Sequence, residues 1–262
     1  MGDLLLDVIV RLESPIAEDT DTYGRTRVGA GGQAANVAAW VVALGGQARV
    51  LTKRAQDPAG RLLVDELRRR EVEIAGPETE TGTGVVVSIA TPDGRRTMLT
   101  DRGVSPDFRP DELEPRWLED CDWLHVSGYA LAGPPHSDTA LAAAELAPKV
   151  SVDLSSTTAI RQLGVRQFRA LLDRLRPDVI FANEDEAGLI ELTHRSAFVL
   201  KRGSRGILVR RDALHEEFSA EEVDIVDTTG AGDALAAGFL LGGPALGLRA
   251  AARCVAQLGA MP

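Results

Sequence analysis

The sequence predicts an α/β chain, a mostly parallel sheet with helices on both faces and a small separate β-sheet. Three observations carry this. Short β-branched runs alternate with helical ones through the second half of the chain, the rhythm of parallel strands joined by crossover helices. Two glycine-rich loops, around residues 29–32 and 230–232, run directly into apolar helical patterns. Residues 84–100 break the rhythm, with two β-rich runs around Pro92-Asp93-Gly94 that read as a hairpin. The 262 residues suffice for one large domain or two smaller ones, and no internal repeat or low-complexity segment divides them.

Taken in order, "LLLDVIVRL" (residues 4–12) is short, apolar and β-branched, and reads as a strand. "GAGGQAANVAAWVVALGG" passes from a glycine loop into a helix over 34–44, stopped by Gly45 and Gly46. After the strand "ARVLTK", Asp57 reads as an N-cap and Pro58 as the first helical residue, with Leu62, Leu63, Glu66 and Leu67 at helical spacing. The hairpin over 84–100, with residues 8–30, is expected to form a small lid. "WLHVSG", "VSVDLS", "DVIFAN", "AFVLKRG" and "GILVRR" read as strands, "TALAAAELA" and "QFRALLDRL" as helices. "EVDIV" reads as a strand, "DTTGAG" as a tight loop, and residues 234–241 as the start of a helix.

The bulk numbers exclude several classes. A net charge of -10 argues against a nucleic-acid backbone as main partner. Cys121 and Cys254 stand far apart, and His125, His136, His194 and His215 are scattered, so neither a zinc site nor a disulfide framework is expected. No apolar run approaches the roughly 20 residues that cross a bilayer, and no signal-peptide layout opens the chain. A cytoplasmic protein without a membrane partner is expected.

"VDTTGAGDALAAGFL" (residues 226–240) carries the chemistry. Gly230 and Gly232 let backbone N–H groups turn inward with no Cβ in the way, and the helix start adds partial positive charge. Together they cradle negative oxygens. Asp233, a carboxylate on the same turn, suits a base better than a phosphate ligand. Phosphoryl transfer is mainly positioning and charge stabilisation, yet the acceptor hydroxyl must lose a proton, which a carboxylate within hydrogen-bond reach can take. The amides of Gly230, Ala231 and Gly232 would hold the charge on the moving phosphoryl group. A competing pattern, G-x-G-x-x-A over 29–34, matches a dinucleotide fingerprint, but polar "DTYGRTRV" precedes it where a buried strand should stand.

"DTTGAGDALAAGF" closely resembles the C-terminal signature of the PfkB-type, or ribokinase-like, carbohydrate kinases, and "GAGGQAANVAAWVVALGG" resembles their N-terminal one. The resemblance runs along nearly the whole chain, in the family's order and separation. It implies a single 1–262 kinase domain: a three-layer α/β/α sandwich with a mostly parallel central sheet and a β-sheet lid, transferring the γ-phosphate of ATP to a hydroxyl, with Asp233 as base and residues 230–233 as anion hole. It also implies that Gly31, Gly32 and Asn36 contact sugar hydroxyls. Asn36 offers both a donor and an acceptor, suited to a diol. Asp7 matches the acidic substrate ligand of the first strand, where a carboxylate is otherwise costly to bury. Arg102 could reach the substrate as in some relatives. "DVIFANEDEA" resembles the family's N-x-x-E element, so Asn183 and Glu186 would organise Mg²⁺ through water. "VLKRGSRG" resembles its nucleotide turn, placing Lys201, Gly203 and Gly206 near ATP. Asp227 and Thr229 match positions that bind a monovalent cation, K⁺, in several relatives, and relatives often form a homodimer through the lid.

The chain departs from the pattern in places. Only Met1 precedes Gly2-Asp3, the stretch between Asn183 and Lys201 is short, Gln33 stands where many relatives carry Lys, and Leu5 stands where ribose-specific relatives carry an amide. A small sugar or sugar acid phosphorylated at a primary hydroxyl is therefore the leading expectation. A nucleoside acceptor would need an aromatic platform, for which Tyr129 and Trp123 are the candidates among 4% aromatics. A catalytically silent sugar-binding regulatory protein would have no need of Asp233.

Overall fold

The computed structural model describes residues 1–93, 95–190, 196–211 and 214–262, so Gly94 of the expected turn and, within the short stretch before Lys201, residues 191–195 with His194 lie outside the described residues. The chain opens with β1 (Leu5–Leu12) and β2 (Gly24–Gly31), then α1 (Gln33–Ala43), the short strands β3 (Arg49–Leu51) and β4 (Arg54–Ala55), and α2 (Pro58–Arg69). Asp57 caps α2 as expected, accepting from Gly60 N at 2.8 Å, and it also takes Thr83 Oγ1 at 2.6 Å. These contacts hold its carboxyl well below the usual range, near 2, although partial burial opposes them.

Next come β5 (Glu73–Ala75), β6 (Glu78–Thr79), β7 (Gly84–Ala90) and β8 (Arg96–Asp101). A four-stranded sheet forms in the order β2-β1-β7-β8. In it β1 pairs antiparallel with β2 (Asp7↔Gly29, Ile9↔Arg27) and parallel with β7 (Asp7↔Val86). This is the extra sheet expected from residues 8–30 and 84–100.

The main sheet follows, with β9 (Leu124–Ser127), α3 (His136–Leu146), β10 (Val150–Asp153), α4 (Thr157–Leu163), α5 (Val165–Leu175), β11 (Val179–Asn183), α6 (Glu184–Leu189), β12 (Ala197–Lys201), β13 (Ile207–Arg211) and β14 (Leu214–Phe218). Its order is β14-β13-β12-β11-β10-β9; β9 to β12 are parallel and the last two antiparallel. Beyond β9 the backbone of Met1-Gly2 bridges to β3: Ser127 N donates to Met1 O at 3.0 Å and Gly2 N to Leu51 O at 3.2 Å.

Alternation along β11 shows why these strands are apolar throughout. Ile180 and Ala182 join the core formed with α3, α4 and α5, whereas Val179 and Phe181 join the core on the other face. That second layer contains α7 (Ala231–Val255), which also packs Ala234, Ala237 and Ala250 against Val37 and Trp40 of α1.

Two expectations are corrected here. "EVDIV" (222–226) forms no strand. Ile225 is 64% exposed, and Val226 N donates to Val255 O at 2.8 Å rather than to a neighbouring strand. The sheet edge is supplied by β14 instead. Contrary to the bilayer estimate, α7 is long and apolar enough to cross a membrane by length and composition, with a mean hydropathy of 1.4. The backbone is non-helical at Gly242 and Gly243, and a Cβ on Gly238 would lie 2.8 Å from Gly247 Cα. Its two halves therefore fold back on each other as a core hairpin.

Candidate active site

The site lies where the strands β9 to β12 end, beneath the four-stranded sheet. Its floor is the turn before α7. Asp227 Oδ1 accepts from Thr229 N at 3.0 Å and from Thr229 Oγ1 at 2.6 Å, while Oδ2 accepts from Gly259 N at 3.2 Å. These two residues, expected from the resemblance to hold a cation, are thus hydrogen-bonded into the turn. Gly230 is left-handed (φ 78), and a Cβ there would lie 2.6 Å from Ala260 Cα, so glycine is required. No side chain caps α7, which leaves its first-turn N–H groups facing outward as a positive helix end. Ala231 N makes only a long 3.4 Å contact with Thr228 O.

Asp233 sits on that first turn, 8% exposed. Asn36 Nδ2 donates to its Oδ2 at 2.8 Å, joining the two glycine-loop helices at one carboxylate. Burial pushes the Asp233 carboxyl up to about 7, opposed by the hydrogen bonds of Asn36 and Gln33 and by Lys201, and reinforced by Asp153. Asn36 Oδ1 is buried with no partner among the described residues, an acceptor that a ligand hydroxyl would satisfy. Gly32 precedes α1 at φ 93, its Cα packed so closely that a Cβ would meet Asp3 O at 2.4 Å.

Asp7 projects from β1 across Gly31, where a Cβ would fall 2.1 Å from the Asp7 carboxyl carbon. Only glycine leaves room for that carboxylate. Burial, with the nearby Glu66 charge, raises the Asp7 carboxyl to about 6. The loop thus has Asp7 against Gly31, and Asn36, whose N donates to Gly32 O at 2.9 Å, against Asp233.

Arg102 does not stand free toward that space. Its Nε and Nη2 donate to Asp3 Oδ2 and Oδ1 at 2.6 and 2.8 Å, and Nη2 also reaches Tyr129 O at 3.0 Å. Expected as a substrate ligand, it is committed to a buried carboxylate, because Asp3 is 3% exposed and needs a counter-charge.

Lys201 extends from the end of β12 and donates to Asp153 Oδ2 at 2.6 Å. A Cβ on Gly232 would lie 3.2 Å from its Nζ, so the ammonium stands beside the helix mouth. Asn183 and Glu186 form a capping box on α6: Glu186 N donates to Asn183 Oδ1 at 2.8 Å and Asn183 N to Glu186 Oε2 at 2.9 Å. Burial raises the Glu186 carboxyl, with Lys201 opposing. Gly206 (φ 81) is forced by backbone approach, since a Cβ would meet Phe218 O at 1.9 Å, whereas nothing lies within 4 Å of one on Gly203. Among the described residues no three His, Cys, Asp or Glu side chains form a metal cage. Such a set would suit a Mg²⁺ that keeps most of its waters, for which Glu186 would be the carboxylate available.

Sequence reading missed Asp153, Ser127 and Ser155, and treated Gln33 only as a departure. Gln33 Oε1 accepts from both serine hydroxyls, and Gln33 lies close enough to Asp233 to lower its carboxyl pKa. Asp153 and Ser127 end neighbouring parallel strands in register. A polar residue closing a parallel strand is a usable signal, because ligands bind at the carboxyl ends of such strands.

Comparison with known proteins gives these features a context. Residues 1–261 match the family described as pfkB family carbohydrate kinase. An ATP-dependent ribose-1-phosphate kinase of Halopiger xanaduensis is 32% identical over 251 residues, covering 91% of this chain and 82% of that protein. A fructokinase of Klebsiella pneumoniae is 29% identical over 271 aligned positions, covering 95% and 84%. The crystal structure of adenosine kinase from Sinorhizobium meliloti superposes with a TM-score of 0.87 at 25% identity, covering 100% of this chain and 94% of that one. With a ribokinase-like fold and a family match along its length, the chain belongs to the pfkB carbohydrate kinases and is a phosphotransferase acting on an alcohol group.

Proposed function

We propose that the chain is an ATP-dependent kinase that phosphorylates the primary hydroxyl of a small sugar or sugar acid. The observation that carries this is a buried carboxylate, Asp233, on the first turn of a helix whose N–H groups no side chain caps. Asp233 takes the acceptor proton, and the amides of Gly230, Ala231 and Gly232 hold the phosphoryl oxygens. Asp7 and Asn36 bind sugar hydroxyls in the space left by Gly31 and Gly32. Asn183, Lys201, Gly203 and Gly206 border the nucleotide. Mg²⁺, placed by Glu186 through water, supplies charge neutralisation on the phosphates. The four-stranded sheet acts as the lid of the single domain, excluding water so that ATP is not hydrolysed.

Arg11, Arg25 and Arg27 favour an anionic sugar. Arg11↔Arg25 and Ile9↔Arg27 are cross-strand pairs on the same face as Asp7, and Arg27 Nη1 reaches Leu258 O at 3.0 Å beside the α7 turn. Like charges directly opposite are unfavourable; Glu13 Oε1 offsets this at Arg25 from 3.7 Å, and an anionic acceptor would offset it further. A nucleoside is less favoured. Trp123 lies at the far end of the main sheet, before β9, and the Tyr129 ring is covered by the Arg102 guanidinium at 5.8 Å.

ADP release over pentoses, hexoses, sugar acids, sugar phosphates and nucleosides, with and without K⁺, tests the reading. Turnover confined to nucleosides, or absent with every acceptor, overturns it. With the accepted sugar, Asp7→Ala is expected to raise KM by about 10²-fold with a smaller change in kcat, since a hydrogen-bonding site that loses its partner discriminates strongly. An unchanged KM would remove Asp7 from the pocket.

We further propose a homodimer formed through the lid. Val8, Val28, Val87 and Leu99 form one cross-strand row on the face opposite Asp7, and Val28 and Leu99 are 51% and 57% exposed. Sedimentation velocity should show a dimer that Val28→Glu converts to a monomer; a monomeric wild type refutes it.

A further inference from the structure

The ends of β10 and β12 are separated by β11, a gap of two strand spacings, about 9–10 Å. Lys201, in register with Asn183 on β11, spans that gap to reach Asp153 on the far strand at 2.6 Å. Its side chain is thereby laid across the strand ends, with Nζ against Gly232. Asp153 is itself 1% exposed, and its other oxygen accepts from Ser155 N at 2.9 Å, so the carboxylate cannot swing away with the ammonium.

We propose that Asp153 is a positioning residue for phosphoryl transfer, holding the Lys201 ammonium beside the Gly232 amide, where it meets the moving phosphoryl group, and away from the base Asp233. The proposal rests on the kinase reading. Three buried carboxylates, Asp153, Glu186 and Asp233, surround this single ammonium, and without it they would repel nucleotide phosphates. Were Lys201 paired to Asp233, its charge would quench the base. With Asp153 occupying the ammonium, Asp233 is left to the neutral amide of Asn36. Lys201 stays charged: burial disfavours the ammonium, but Asp153 and Glu186 outweigh it and raise its pKa.

The groups facing Asp233 are Asn36 and Gln33 from α1, Asp153 from β10 and Lys201 from β12, with Cys254 of α7, a neutral thiol held up at about 12 by burial, nearby. Asp153 raises the Asp233 carboxyl and Lys201 lowers it. The two variants should therefore move the acid limb of the kcat/KM profile in opposite directions. Asp153→Asn is expected to lower kcat about 10²-fold and shift the limb to lower pH. Lys201→Met should lower kcat about 10²- to 10³-fold, as for loss of one oxyanion donor, and shift the limb to higher pH. Because Asp153 supports kcat through Lys201, the double variant, compared on the pH plateau, should be no slower than Lys201→Met alone.

The far-UV spectrum and a cooperative thermal transition report whether each variant is folded. Folded variants with kcat within threefold of wild type, limbs that do not move, or losses that multiply in the double variant each overturn the proposal. Should Asp153→Asn fail to fold, the comparison of Lys201→Met with the double variant decides alone. A wild type that releases no ADP with any acceptor overturns the kinase reading, and this proposal with it; an active wild type with unaffected variants overturns only the proposal.

Discussion

Asp233→Asn is expected to lower kcat by about 10²–10⁴-fold while MgATP binding, measured by calorimetry, stays close to wild type. Asparagine keeps the size of the side chain and an oxygen for Asn36 Nδ2, which now donates at 2.8 Å, but it cannot take a proton. In the wild type, kcat/KM should rise about tenfold per pH unit up to about pH 7, where the buried carboxyl ionises, and then level. The variant should lack that limb. Stability runs the opposite way. The folded-state pKa of about 7 exceeds the ordinary 3.8, so the contribution of the protonated form is complete below about pH 4 and is lost as pH rises through 7. The variant carries no such charge, and its Tm should exceed that of the wild type at pH 8 by a margin that closes toward pH 5. Normal turnover in Asp233→Asn would remove the base from the mechanism.

The residues readable in advance were those whose role is local. Asp57 and Pro58 announce a helix start, and Gly230, Gly232 and Asp233 share one turn, so spacing along the chain sufficed. Asp7 and Gly31 were reached through the family resemblance, and their mutual fit depends on pairing β1 with β2. The Lys201–Asp153 pair was out of reach because it needs the strand order β10-β11-β12, which no local pattern carries. "EVDIV" shows the converse failure. Alternation predicts a strand, but a strand also needs a partner strand to pair with, and here Val226 N donates to Val255 O at the end of α7 instead.

Arg102 is where the two levels disagree, and its variant separates them. As a substrate ligand, Arg102→Met would raise KM and leave stability nearly unchanged. The structure predicts the reverse emphasis. Asp3 is buried, and its carboxylate is held by both Nε and Nη2 of Arg102. Removing the guanidinium leaves that charge unpaired, a loss of about 3–5 kcal/mol for a buried pair. Arg102 retains 22% side-chain exposure, so the lower end, about 3 kcal/mol, is expected. At roughly 2–4 °C per kcal/mol for a chain of this size, Tm should fall by about 6–12 °C. Adding Asp3→Asn removes the stranded charge and should recover much of the loss, a non-additivity characteristic of a contacting pair. A Tm that holds while KM climbs would return Arg102 to the sugar. A Tm that falls and is rescued by Asp3→Asn fixes it as the clamp between β8 and the first residues of the chain, where the four-stranded sheet is fastened to the main one.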